Sequence, residues 1–223
     1  ENYRVMLFDR PFLTWLMNSV IVAAITMGSS MLFATSAAFA FSRFRFKGRE
    51  LGLIFFLALQ AFPGVLSLIP VAQLLSALGL YGSKLGLVFA YTTGTLIFCT
   101  WNLKGYFDTI PIDLEEAGMI DGAGPIQSFL LIALPLARPA LAVTALFAFL
   151  AGWSDFVFAS VLVPAPDSAK MLVPGMYSLA NSQSVPWGYF AAGAVMIIIP
   201  VSALFLYLQR FFESGLTLGG VKG

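Results

Sequence analysis

Four long stretches without a charged side chain limit what this sequence can fold into. Residues 11–42, 51–83, 85–103 and 171–209 contain no Asp, Glu, Lys or Arg. A helix on the surface of a soluble protein keeps charged residues on its outer face, and these runs have none to put there. Each run is close to, or longer than, the roughly 20 apolar residues that cross a bilayer as a helix. Inside lipid every backbone N–H and C=O must be satisfied within the segment, which selects helices. The expected fold class is therefore an all-α polytopic membrane protein. Five spans are expected, at about Phe12–Phe41, Leu51–Leu74, Leu85–Leu103, Leu141–Val163 and Trp187–Leu208.

The remaining residues exclude several function classes. The chain has no histidine and one cysteine, Cys99. That rules out a disulfide within the chain, a Cys/His zinc site and a His-based triad. No G-x-x-x-x-G-K-[ST] run is present, so no P-loop holds ATP here. With a net charge of +1 and basic residues grouped only at 43–49, nucleic acid is not an expected partner.

Charge placement sets an expected orientation. Residues 42–50 hold Arg43, Arg45, Lys47 and Arg49, and short loops rich in Lys and Arg stay on the cytoplasmic side. Lys104, Arg138, Arg210 and Lys222 fall on the same side, against Arg4, Arg10, Lys84 and Lys170 opposite. Residue 1 is then outside, and the C-terminus is cytoplasmic. The basic loop reads as a topology signal in preference to a lipid site.

Within the first span Ser30, Ala34, Ala38 and Ser42 recur every four residues, a spacing of small residues that lets membrane helices approach closely. Pro63 and Pro70 interrupt the second span, so Ala61–Pro70 is expected to be bent or broken. The hydroxyls of Tyr91, Thr92, Thr93, Thr95 and Thr100 either bond across helices or line a polar path.

Asp155 is the one acidic residue expected within a span, beside Trp153 and Phe156. An intramembrane carboxylate faces a cavity or a partner group. It is read either as a translocation-path element or as a carboxylate bonded to neighbouring helix hydroxyls. The segment 164–187 is the longest outside loop, with Lys170, Tyr177, Asn181 and Gln183 as contacts for a soluble partner or, alternatively, as parts of a plain connector.

The stretch Asp113–Pro139 sits between apolar spans yet carries Asp113, Glu115, Glu116 and Asp121. One charge at the bilayer centre costs roughly 2.5–3.5 kcal/mol, so four place this segment at the membrane surface. Pro111 and Asp113 start a helix, with Glu115 and Glu116 in its first turn where the dipole favours carboxylates. Gly122 and Gly124 break it, and Pro125 opens a second helix that ends near Pro135. Ala117 and Gly118 give a small, closely approachable face.

This stretch resembles the cytoplasmic loop of the permeases of binding-protein-dependent ABC importers, of the form E-A-A-x3-G-x9-I-x-L-P. The match is Glu116-Ala117-Gly118, Gly122, Ile132, Leu134 and Pro135, with Gly118 in place of the second alanine. Trp153-Ser154-Asp155-Phe156 resembles the W-N-[DE]-F element of sugar-importing permeases, with Ser154 in place of Asn. Glu1-Asn2-Tyr3, Ser42–Gly48, Lys104–Phe107 and Gly215–Gly223 also resemble the maltose-type permeases.

The resemblance implies a type I ABC importer permease, a single membrane domain over 1–223, with a first family helix expected upstream of Glu1. Residues 111–139 would be the coupling loop, contacting an ATPase through Glu115, Glu116, Ala117, Gly118, Asp121, Gly122, Ile132, Leu134 and Pro135. The tail 211–223 would lie in the cytoplasm. Trp153, Asp155, Phe156 and Tyr91 would belong to the translocation path. Implied partners are a second permease, two ATPase subunits using ATP and Mg, membrane lipid and a periplasmic or lipid-anchored sugar-binding protein. No cofactor, metal or catalytic role is expected in this chain, and the location is a prokaryotic inner membrane. Maltose or maltodextrin is the first substrate expected. A non-sugar solute, an ion-driven secondary transporter and a non-transporting membrane anchor are the alternatives.

Overall fold

The computed structural model describes residues 1–164, 166–180 and 187–219, with side chains described as far as residue 211. Among the described residues every regular element is helical. After a short helical start (α1, Asn2–Arg4, then a π turn at Val5–Asp9), α2 runs from Phe12 to Arg43. At about 1.5 Å per residue its 32 residues exceed the thickness of a hydrocarbon core. The chain leaves α2 through an extended Phe44, and Gly48, at φ 89, supplies the left-handed residue that launches α3 (Arg49–Gln60).

The expected break in the second span is present and sharp. From α3 the chain passes Pro63 into a 3₁₀ turn (Gly64–Ser67) and then α4 (Leu68–Ala77), at 94° to α3. Pro63 has no N–H to give the helix and disfavours helical geometry in Phe62, so the axis breaks there. Pro70 sits in the first turn of α4, where its missing N–H has no helical partner to lose.

The central pair is α2 with α5 (Lys84–Phe107). Ser83 caps α5, accepting from Gly86 N at 3.0 Å. Ser30, Ala34 and Ala38 of α2 are fully buried, as the four-residue spacing of small residues predicts. Ser29 and Ser30 hydroxyls lie 2.8 Å from those of Thr92 and Thr95. Lipid supplies no hydrophobic drive between helices, so close packing and such bonds, worth about 0.6 kcal/mol on average, hold the pair.

The short surface helices α6 (Asp113–Ile120) and α7 (Pro125–Leu136, with a π turn at Phe129–Ala133) follow, and α7 turns through 80° into α8 (Arg138–Ser154). α8 crosses α2 at Gly152, where an added Cβ would come 3.0 Å from Ala23 Cα. The fourth span differs from the expectation of one helix over 141–163. α8 stops at Asp155, which is extended at φ −72, ψ 136, and a separate α9 (Val157–Leu162) follows. Asp155 therefore sits at a helix break, because its carboxylate accepts the Ala159 N–H instead of continuing the helical ladder. α10 (Leu172–Ala180) and α11 (Trp187–Gly219) complete the order.

By length and composition, two of the described helices can cross a membrane, and up to four if each bent pair is one span, against the five expected. α5 is long enough at 24 residues, but its threonines, Tyr91 and Asn102 make it less apolar. α3 has no buried residue, and Ile198, Ile199 and Leu206 of α11 are exposed. These apolar faces suit lipid or another membrane subunit.

Candidate functional site: a clamped surface loop and a polar cavity

The loop between α5 and α8 is tied to the bundle by one charged network. Glu115 is buried, and its Oε1 lies 2.7 Å from Arg43 Nε, with the two side chains 5% and 8% exposed. The same guanidinium donates from Nη2 to Ile110 O at 2.9 Å and from Nη1 to Ser42 Oγ at 3.1 Å. Ser42 in turn donates to Asp108 Oδ1 at 2.6 Å, and Lys104 Nζ reaches Asp108 Oδ2 at 2.6 Å. Partial burial works against ionisation of Asp108, but the bonds from Lys104 and Ser42 and the charges of Lys104 and Arg43 outweigh it. Its carboxyl is held below the usual aspartate value. The ends of α2 and α5 and the start of α6 thus share one set of charges.

Adjacent residues on α6 point in different directions, about 100° apart at 3.6 residues per turn. Glu115 turns inward to Arg43, while Glu116 and Ala117 face out with Ile112, Leu114, Met119 and Ile120. Glu115, expected from sequence to contact a partner, instead fastens the loop to its own chain. Asp121 and Gly122 form the exposed turn after α6, with Gly122 at φ 95, a conformation that favours glycine. Gln127 Oε1 accepts from Gly124 N at 3.0 Å at the start of α7.

Gly118 faces Ile132, whose Cδ1 occupies the space a Cβ would need. The glycine that departs from the E-A-A pattern thus has a packing reason. Leu134 and Pro135 are half-buried at the end of α7. The two helices joined by a glycine bend that the sequence led us to expect are present.

The second candidate region is an open cleft between the α3–α4 bend, α5 and the α8–α9 break. Tyr91 donates to Asp155 Oδ2 at 2.7 Å, and the Ala159 N–H reaches the same oxygen at 3.0 Å. Both side chains line a cavity of about 610 Å³ beside the α3–α4 bend, with Gln60, Ser67 and Phe98 among the other walls. Trp153 and Phe156, expected beside them on the path, are elsewhere. Trp153 is buried and stacked on Phe149 at 5.5 Å, near Trp15 and Met176. The chain turns at Asp155, so Phe156 points away and packs on Tyr177 at 4.7 Å.

Of the outer contacts expected, Tyr177 is exposed and Lys170 is half-buried, paired with Asp167 at 2.5 Å. Asn181 and Gln183 lie outside the described residues. The outer segment is fastened to α2 by side chains that the sequence reading did not single out. Trp15 Nε1 donates to Asp167 O at 2.9 Å. Asn18 Nδ2 donates to Ser168 O and Lys170 O at 2.9 and 3.0 Å, and Ser19 Oγ accepts from Leu172 N at 2.7 Å. Lys84 Nζ reaches Asn18 Oδ1. The available signal was spacing: positions 15, 18 and 19 put three polar-capable side chains on one face of a charge-free helix.

Residues 30–218 match the family described as "Binding-protein-dependent transport system inner membrane component". The chain belongs to this family. It is an inner-membrane transport component and not an enzyme. This permease is 42% identical over 213 residues to the galactooligosaccharides transport system permease protein GanQ of Bacillus subtilis, covering 95% of this chain and 75% of that protein. It is 43% identical over 219 residues to the maltose/maltodextrin transport system permease protein MalG of Salmonella typhimurium, covering 96% and 73%. Its fold matches a chain of a bacterial ABC transporter involved in the import of the polysaccharide alginate. The TM-score there is 0.83 at 24% identity, over 95% of this chain and 79% of that one. The permease architecture expected from sequence is therefore the one observed. The E-A-A-type segment of this permease lies inside the matched region and forms the clamped surface loop.

Proposed function

We propose that this permease is one of two membrane subunits in an ATP-driven importer of a neutral oligosaccharide of the maltodextrin or galactooligosaccharide kind. The observation that carries the proposal is the α6–α7 loop. It presents Glu116 beside exposed Ile112, Met119 and Ile120 while its inner side is fixed to α2 and α5 through Glu115. A loop of this form offers a partner an apolar and acidic face and transmits that partner's movement into the helices. The substrate class rests on the relatives, permeases for maltodextrin and galactooligosaccharide.

In this reading two ATPase subunits bind ATP and Mg on the cytoplasmic side and close, drawing the loop with them. The charged network carries the displacement to α2 and α5, and the cavity lined by Tyr91 and Asp155 changes its access. A sugar-binding protein docks at the opposite end, near Tyr177 and Lys170, and releases its cargo. The chain supplies differential contacts between two states, which is all that coupling requires.

The test is ATPase activity of the reconstituted complex, stimulated by the binding protein across a panel of sugars. The parent should respond to one loaded binding protein. A variant with Glu116→Ala and Gly122→Val should assemble and lose that response. Full stimulation in an assembled variant would remove the coupling role of the loop.

A further inference from the structure

We infer that the groove between α2, the α7–α8 corner and α11 binds one anionic phospholipid, with its phosphate at Arg138 and an acyl chain along α2. The groove is separate from the cleft beside the α3–α4 bend, and the inference does not depend on which solute is carried.

The groove has a volume of about 580 Å³. On α2 it runs from Gly28 to Ser36, about 12 Å at 1.5 Å per residue, within a charge-free run. Leu32, Leu130, Leu141 and Leu208 are among its walls, and Leu32 and Leu130 are exposed, so the surface calls for an apolar cover. Among the described residues Arg138 is the one charged group in the walls. It stands at the 80° corner between α7 and α8, at the loop end of the bundle. Its guanidinium is exposed and has no ion pair or hydrogen bond among the described residues. Phe211 lines the groove too, and the Arg210 guanidinium lies over the Tyr207 and Phe211 rings at 4.0 and 4.8 Å. Basic pockets between membrane helices hold anionic headgroups. Among the described residues no carboxylate lines the groove, so nothing there takes the ammonium of a zwitterionic lipid. An apolar helix in the same place would leave Arg138 without a counter-charge.

Thr35 is the second, independent observation. It is 7% exposed and lines the groove, yet its hydroxyl has no hydrogen-bond partner among the described residues. Ser36, Thr93, Thr95, Thr100 and Thr144 all return theirs to the carbonyl four residues back. A hydroxyl left unbonded away from water costs free energy, which a bond from an occupant of the groove removes. A phospholipid carries its groups in the matching order, with the phosphate at the membrane surface, the ester oxygens beneath it and then hydrocarbon. Its phosphate pairs with Arg138, an ester carbonyl accepts from Thr35, and the chain continues along α2 toward Gly28. The occupant also rests on Phe129 and Leu130 of α7, so it packs between the surface loop and α2.

Gly28 lines the groove with open space around it, so Gly28→Cys accepts a bimane fluorophore there, while native Cys99 is fully buried. The complete complex is reconstituted in dioleoylphosphatidylcholine vesicles. Rising fractions of phosphatidylglycerol or of phosphatidylcholine, each brominated on its acyl chains, are then included, and quenching of the bimane is read. Half-quenching should come at a several-fold lower fraction of the brominated phosphatidylglycerol. Adding Arg138→Gln should bring the two curves together, and Arg138→Lys, which keeps the charge, should retain the preference. Thr35→Val should move the phosphatidylglycerol curve to higher fractions. A bimane at Ile199→Cys, on the exposed face of α11, should show no preference. Equal quenching by the two lipids at position 28, or the same preference at position 199, would overturn the site. Quenching by neither lipid at position 28 would mean that a protein helix covers the groove and would overturn it as well. A preference that survives Arg138→Gln would overturn the role of Arg138.

Discussion

Arg43 Nε meets Glu115 Oε1 at 2.7 Å in a setting almost closed to solvent, and this pair joins the end of α2 to the first turn of α6. Removing one member of a buried pair leaves the other charge without compensation, at about 3–5 kcal/mol, whereas replacing both by apolar residues of similar volume is often neutral. Glu115→Ala should therefore lower the melting temperature of the purified complex markedly. Arg43→Met with Glu115→Leu should lower it much less. If the double variant is the less stable of the two, the pair does not act as a unit. The double variant also separates stability from coupling. It should keep its fold and lose part of the ATPase response, because α6 is no longer fastened by charge.

Gly118 and Ile132 pack so closely that the isoleucine Cδ1 fills the space a Cβ on residue 118 would need. Alanine is better than glycine in a helix by about 0.8–1.0 kcal/mol, but here its methyl must displace the tip of Ile132. That tip is the far end of a flexible side chain. Gly118→Ala alone should be close to neutral, with the propensity gain offset by the displacement. Combined with Ile132→Val, which deletes Cδ1, it should become stabilising relative to Ile132→Val alone. Thermal denaturation of the four members of this cycle measures the coupling directly.

Much of this arrangement was legible in the sequence because it depends on local rules. Charge-free runs gave membrane helices, Pro63 gave the break, and Gly122 with Pro125 gave the paired surface helices. The inward turn of Glu115 was not legible. Glu115 and Glu116 are chemically alike, and only the position of Arg43, distant in sequence, decides which one is buried. Trp153 failed for a related reason. It lies two residues before Asp155 in sequence, but the chain becomes extended at Asp155, and the two side chains leave in different directions. The number of spans is blurred by the two bends of 94° and 80°, which divide apolar sequence between short segments.

Asn18 is the main fastener between α2 and the outer segment, donating to two carbonyls and accepting from Lys84. Each such bond contributes about 0.5–1.5 kcal/mol net. Asn18→Ala should loosen residues 166–172 more than it lowers global stability, since the core clusters around α2 remain. Amide hydrogen exchange should rise several-fold in that segment and stay near the parent rate in α5. Trp15→Phe, which removes the bond to Asp167 O together with part of a ring buried in the core cluster, should also raise exchange in the same segment. A uniform rise across all helices would mean that the segment is held by general packing instead.

Asp108 links stability to pH at the loop end of the bundle. Despite its partial burial, its folded pKa is depressed by bonds from Lys104 and Ser42 and by the charges of Lys104 and Arg43. A depressed carboxyl binds its proton more weakly in the folded state than in the unfolded one. Its stabilising contribution is therefore complete above the unfolded value of about 3.9, and is lost as pH falls from there through the folded pKa. Asp108→Asn removes that contribution and cannot titrate. The parent should be more stable than Asp108→Asn at pH 7, and the difference should shrink as pH falls below about 4. Melting temperatures of the two proteins measured across that interval test the sign. A gap that widens on acidification would mean that burial, and not Lys104 and Ser42, governs this carboxyl.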